Sequence, residues 1–356
     1  MRVNRRGSFG SAIERFRREE SGAALMVVAV CLIVLMGMLV LVVDLGRAVA
    51  IKRQMVNGSD SAALAAAQQC ALGNSASDAE GAADAVLANN RSDASVQTFS
   101  APGCGAPPEG PELVTVESTV TVDYFFAGIF GFESGPVVSR AVAIWGVTQE
   151  GHAVPITVDL EQLNDCGIAP DDPPNADVDC EIDYPKDALT EPRWGTLDLE
   201  NWGDPEAAPC STSAGTLKNQ IENGGLDDPL PAPAFTCMDN GLSDSVWEAM
   251  VGMTLLFPVM DLSQSTGTVK PTSGPLGGSD CTGADIEDLR DAGYDCQIDT
   301  AYIVGWIELF VADVNKHGSD LSVEYEYKGF TTTPGLPCEE EPCPLGFGAH
   351  GVRLVE

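Results

Sequence analysis

Basic residues are scarce in this chain of 356 residues: nineteen lysines and arginines stand against fifty-three acids, a formal net charge of −34. A phosphate backbone is gripped by clustered cations, so the balance argues against nucleic acid as a partner. Histidine is scarcer, with only His152, His317 and His350, each among polar or glycine neighbours that read as surface positions. The catalytic signatures are missing too. There is no Gly-x-Ser-x-Gly, no His-Glu-x-x-His, no phosphate-cradling Gly-rich loop and no Cys-x-x-Cys. Acids are so abundant that the spacing of any one pair carries no information. The expectation is a non-enzymatic protein without a cofactor. Apolar residues are not lacking, at 44%, so the chain can bury a core and wholesale disorder is excluded.

One segment lacks charge altogether. Gly22 to Val43 reads GAALMVVAVCLIVLMGMLVLVV, which as a helix rises about 33 Å, enough to cross a hydrocarbon core of about 30 Å. A cleaved signal peptide has a shorter apolar region, about 7–15 residues, ending in a small-residue cleavage site. Here the run is longer and continues into a helical pattern, so a retained anchor in the lipid bilayer is expected. Six arginines precede the span within residues 1–20, and Arg47, Lys52 and Arg53 follow it. That asymmetry places the N-terminus in the cytoplasm and the acidic bulk outside. Gly22, Ala23, Ala29 and Gly37 offer a small-residue face to partner helices.

Cys31 lies inside the span, and ten cysteines follow it: Cys70, Cys104, Cys166, Cys180, Cys210, Cys237, Cys281, Cys296, Cys338 and Cys343. An even number in an oxidising compartment reads as structural disulfides rather than metal sites. Cys70 and Cys104 remain for the first module and could pair with each other, and Cys338 and Cys343 enclose a short loop that could close locally; eight cysteines beyond residue 148 allow about 105 connectivities, so the sequence does not fix the bridges.

Past the span come Asp44-Leu-Gly46-Arg47 and then Asn57-Gly-Ser-Asp60-Ser-Ala62-Ala63-Leu64. An apolar helix ending in Asp-x-Gly, followed by an Asn-x-x-Asp-x-Ala-Ala-Leu helix after a basic head, resembles the N-terminal region of the TadE/TadG-like proteins of Flp (Tad) pilus assembly. The likeness extends over about residues 15–147. It implies a pilin-like helix with a small sheet, and other Tad assembly membrane proteins as partners. Cleavable members are expected to carry a Gly followed by a Glu five residues on. The fifth residue after Gly22 is Val27, and no acid lies in Ala23–Val43, so the likeness points to a permanently anchored TadG-type accessory.

The residues support that outline independently. Alanine-rich 59–71 favours helix, with Gly58 a weak point where the membrane helix is prolonged. Ser77–Asn89 reads as a second helix with a serine cap. Strict alternation in Leu113–Tyr124 predicts a half-buried strand, an aromatic patch runs to Phe132, and Pro136–Trp145 follows as another strand. The fold class expected is α+β: a transmembrane helix continuing into a helix-and-strand module, then a β-rich, loop-rich, disulfide-stapled domain. The divisions are a cytoplasmic head at 1–21, the span at 22–43, the module at 44–147 and the exported acidic domain at 148–356.

In that last part Ala153–Leu160, Met253–Met260 and Ala301–Val311 read as core strands. Trp194, Trp202, Trp247 and Trp306 read as packing aromatics. Asp177, Asp179, Glu181 and Asp183 fall on one face of a strand as a solvated acidic row. Asp261, Ser263 and Ser265 repeat the Asp-x-Ser-x-Ser pattern of von Willebrand A metal sites, where a carboxylate and hydroxyls offer hard oxygen ligands. Their expected reading is a plain strand-to-loop exit, because no helix or βα units follow. The alternative is a surface-exposed, metal-dependent adhesion module using those three residues.

Overall fold

The computed structural model describes residues 10–106, 108, 110–170, 177–185, 195–197, 199, 202–203, 213–223, 230–239, 244–271, 280–292, 294–317, 320–332, 336–338 and 342–355. The fold is α+β. Helix α1 (Gly10–Leu39) passes through a five-residue π turn, Val40–Asp44, into α2 (Leu45–Ala71). The helix is long and apolar enough from Ala24 onward to cross a membrane, and its large apolar side chains from Leu25 to Leu39 are exposed.

Beyond the apolar run the same helix becomes a packing element. It continues through Gly58 without a break, contrary to the weak point expected there. A side chain at Gly58 would meet Leu87 Cδ1 at 3.3 Å, so the glycine allows helix α3 (Ala76–Asn90) to lie close, and that contact offsets its poor helix propensity. Ser75 caps α3, its hydroxyl accepting the Asp78 N–H while the Asp78 carboxylate accepts the Ser75 N–H.

Three strands follow: β1 (Ser95–Ser100), β2 (Glu112–Asp123) and β3 (Ser134–Val147), in antiparallel order β1-β2-β3. Val114, Val116, Val120 and Val122 of β2 all face inward, as the alternation demands. The sheet is not closed by its own module. Ala349–Leu354 pairs antiparallel with β3, and Thr331–Thr332 adds beyond it, so two pieces from past residue 148 complete it. The packing reason is plain: Ala143, Ile144, Trp145 and Val147 at the end of β3 are buried and need that cover.

The larger sheet is organised by one strand, Tyr294–His317, whose β-branched and aromatic residues suit a strand buried on both faces. It pairs antiparallel with Ala234–Asp239, Thr254–Met260, Thr266–Pro271 and Asp320–Tyr327. One face carries a core of Phe257, Ile307, Leu309, Tyr184, Tyr325 and Trp247; the other carries Trp306, Met260, Ile298 and Ile303. Trp202 stacks on Trp306 at 5.6 Å and Trp247 lies 4.6 Å from Tyr184, so three of the tryptophans are packing aromatics. Trp194 lies outside the described residues. The run Ala153–Leu160 is buried as expected, but only Val158–Asp159 forms a strand within it. Pro155 has no N–H to give a ladder, and the residues ahead of Val158 make only an isolated bridge and loop hydrogen bonds.

Bridges join Cys70–Cys104, Cys166–Cys180, Cys281–Cys296 and Cys338–Cys343. Cys237 is also disulfide-bonded, Cys210 lies outside the described residues, and Cys31 is free. The first bridge spans 34 residues and ties the far end of α2 to the loop after β1. Loop closure of that size stabilises by about 4 kcal/mol on chain-entropy grounds.

The acidic row falls as the pattern indicated. Cys180, Ile182 and Tyr184 are buried, while Asp177, Asp179, Glu181 and Asp183 are exposed. Their neighbours are acidic as well, because the register sets Glu181 against Glu324 and Asp179 against Glu326. Like charges directly opposed across strands are destabilising. Glu324→Gln keeps the oxygen that accepts from Asn315 and removes one charge, so it should raise the thermal midpoint. A melt in low and high salt should find the midpoint of the parent rising with salt, and that of the variant rising less.

Candidate functional site

The residues of the resemblance are spread along the helix that leaves the apolar run, from Asp44 at its base to Leu64. Asp44 is only 4% exposed although it follows Val43 directly. Its carboxylate accepts three backbone N–H groups from the turn between β2 and β3: Oδ1 from Phe125 at 2.9 Å, Oδ2 from Phe126 at 2.9 Å and from Ala127 at 2.7 Å. Hydrogen bonds to an ionised acceptor are among the stronger kind. Those donors would otherwise be orphans, since residues 127–130 form a short 3-10 turn whose first N–H groups have no internal partner. Gly131 ends the turn at φ +89°, a region that favours glycine.

Arg47, one turn on, donates from Nη1 to the Asp123 carbonyl at 2.9 Å and lies 4.9 Å from the centroid of the Phe125 ring. Lys52 donates to the Val138 carbonyl. These contacts pin the β2–β3 hairpin to the base of α2.

Going outward, the contacts follow a fixed order. Ile51 and Met55 form a buried cluster with Val120 and Val122. Ser59 then donates or accepts at 2.6 Å from Ser118, both buried. Ala62, Ala63, Ala66 and Ala67, all fully buried, share a core with Val114, Val116, Ala143 and Trp145 on the sheet and with Ala79, Ala83 and Leu87 on α3. Leu64 packs at its margin. Alanine at these positions allows helix and sheet to approach closely.

The remaining motif residues are quieter. Asn57 is exposed, and its carbonyl accepts the Ser61 hydroxyl at 2.8 Å. Asp60 is half-buried, and desolvation lifts its carboxyl above the usual range. Gly46 has open space where a side chain would be.

Residues 22–69 match the family model described as "Putative Flp pilus-assembly TadE/G-like". The apolar run and the first turns of the helix that follows it are similar to that family's model. No curated protein and no solved structure matches the chain. The matched stretch ends one residue before Cys70, so it covers the TadE/G-like helix and neither the sheet on which that helix packs nor the larger domain.

The far end of the TadE/G-like helix is held by a residue that sequence reading placed on the surface. His350 is 2% exposed, on the strand that completes the first sheet. Its Nδ1–H donates to the Ala71 carbonyl at 2.6 Å, and its ring lies between Trp145, edge-on at 5.7 Å, and Phe330, stacked at 5.4 Å. Burial holds the imidazole down at about 4, against the hydrogen bond to Ala71, which raises it. Its glycine-flanked local sequence gave no sign of this, because all its partners are distant in the chain.

Asp261, Ser263 and Ser265 are together, but their polar atoms are turned on one another. Asp261 Oδ1 accepts the Ser263 N–H at 2.9 Å and the Ser263 hydroxyl at 2.6 Å, and Oδ2 accepts the Gln264 amide at 2.6 Å. Ser265, buried, donates to the Asp261 carbonyl at 2.8 Å and accepts the Tyr302 N–H at 3.0 Å. Asp261 thus caps a single 3-10 turn where Thr254–Met260 leaves the sheet. No group of three or more His, Cys, Asp or Glu side chains placed to hold a metal occurs among the described residues.

Two outcomes follow. Asp44→Ala leaves three amides without their acceptor and should cost about 3 kcal/mol; hydrogen exchange should speed up at Phe125–Ala127 before it does at the far end of the sheet. For His350 the folded value lies below the ordinary 6.5, so its contribution is complete above about pH 6.5 and is lost as pH falls toward 4. The loss is roughly 3 kcal/mol. Denaturation midpoints across that window should fall in the parent and stay flatter in His350→Gln.

Proposed function

We propose that the chain is a non-enzymatic, permanently anchored component of Flp (Tad) pilus assembly, of the TadG type, whose exported half is a structural or contact module. The observation that carries this reading is the TadE/G-like match over residues 22–69, on a helix that passes unbroken from an apolar run into a packed exported module. The absence of any acid from Ala23 to Val43 supports retention of the anchor rather than processing into a fibre subunit. The arginine-rich head supports a cytoplasmic N-terminus, and the bridges support an oxidising side for the body. In this role the span sets the protein beside its assembly partners. The acidic body meets them through contacts that salt weakens, since exposed charges are screened over about 8 Å at physiological ionic strength.

The test is genetic and chemical. Deletion of the chain should abolish assembled Flp fibres, and the full chain should restore them. A version whose residues 1–43 are replaced by a cleavable export signal should not. Mass spectrometry of the protein from native membranes should find residues 1–22 still attached. A mature N-terminus near Ala23, or fibres unaffected by deletion, would remove the proposal.

A further inference from the structure

The turn between β2 and β3 is apolar where it has no protein to cover it. Phe125 is 68% exposed, Ile129 70% and Phe132 67%, three of the most exposed large apolar side chains outside the anchor helix. They are held in place. Asp44 takes the N–H groups of Phe125, Phe126 and Ala127, the 3-10 turn fixes 127–130, and Arg47 lies against the Phe125 ring. A stiff loop that presents this much apolar surface to water has a matching environment elsewhere.

Position identifies that environment. Helix α2 and strand β2 run side by side in opposite directions, with Asp44 at the tip, Ile51 and Met55 beside Val120 and Val122, Ala62–Ala67 beside Val114 and Val116, and Cys70 bridged to Cys104. The tip is therefore the membrane-proximal end of the module. It lies level with the first residue after the apolar run, because its N–H groups are within 3 Å of the Asp44 carboxylate. Val42 and Leu45, at 72% and 57% exposure, continue the apolar surface from the helix beside it. Aromatic rings favour the level where hydrocarbon meets headgroups, and apolar side chains lodge about 5–10 Å into that boundary. Arg47 completes the match as a cation at headgroup depth with its stem against apolar surface.

We propose that the β2–β3 tip is a second membrane contact, with Phe125, Ile129 and Phe132 seated in the interfacial layer of the leaflet on the exported side. The occupant of this patch is the lipid of the bilayer that holds the anchor, and the inference rests on that anchor. One helix can rotate and tilt about its axis; a helix with a lateral foot cannot do so freely. The contact sets the direction in which the exported body points.

The test uses the full chain, kept oxidised, in phosphatidylcholine nanodiscs. Single cysteines at Ile129→Cys, Phe132→Cys and Glu80→Cys, each in a Cys31→Ser background, are labelled with an environment-sensitive fluorophore; Glu80 is exposed at the opposite end of the module. Labelled Cys31 in the parent chain reports the anchor. Doxyl-lipid should quench Cys31 and at least one tip label, with blue-shifted emission, while iodide should quench only Glu80. If Cys31 is lipid-quenched but both tip labels behave like Glu80, the tip contact is wrong and the anchor stands. Lipid quenching of Glu80 as well would mean the module lies flat, which also overturns the tip contact. A Cys31 label open to iodide would remove the anchor itself.

Discussion

The architecture depends on one carboxylate, that of Asp44, at the place where a greasy helix becomes a polar one. An acid directly after an apolar run is ordinarily left to solvent. Here it takes up three backbone donors from a turn about eighty residues away, so the helix cannot leave its apolar run without bringing a strand pair with it. From that point the small side chains of Ala62, Ala63, Ala66 and Ala67 allow the sheet to approach the helix, and the Cys70–Cys104 bridge closes the far end. The result is a helix fixed at both ends and along its length, with no room for the hinge that Gly58 suggests on propensity alone.

Much of this module was legible in the amino-acid order. A period of two fixed the inward face of β2, a serine cap marked the start of α3, and alanine content marked the packed helix. The motif included Asp44 without any sign that its carboxylate meets the turn between β2 and β3. The signal was present as an acid next to the anchor and an unbroken aromatic patch between two strands, yet nothing local says that the two meet.

What escaped was distant pairing. His350 reads as a surface histidine because its neighbours are glycine and alanine, and its burial is made by Ala71, Trp145 and Phe330. The division near residue 148 follows a change in texture, whereas the hydrogen bonding crosses it, with Ala349–Leu354 returning to β3. In the larger sheet, apolar runs located Thr254–Met260 and the middle of Tyr294–His317. The number of partners that one long strand gathers is a property of tertiary arrangement, not of its own pattern.

That returning strand also orders the maturation of the molecule in time. The edge of β3 is laid down early, yet its cover is made of residues that emerge roughly two hundred positions later. While the chain is being made, the half-built sheet therefore waits with an unpaired rim. Only the arrival of the tail clasps it shut, so a prematurely terminated polypeptide would carry the sticky margin that the finished one conceals.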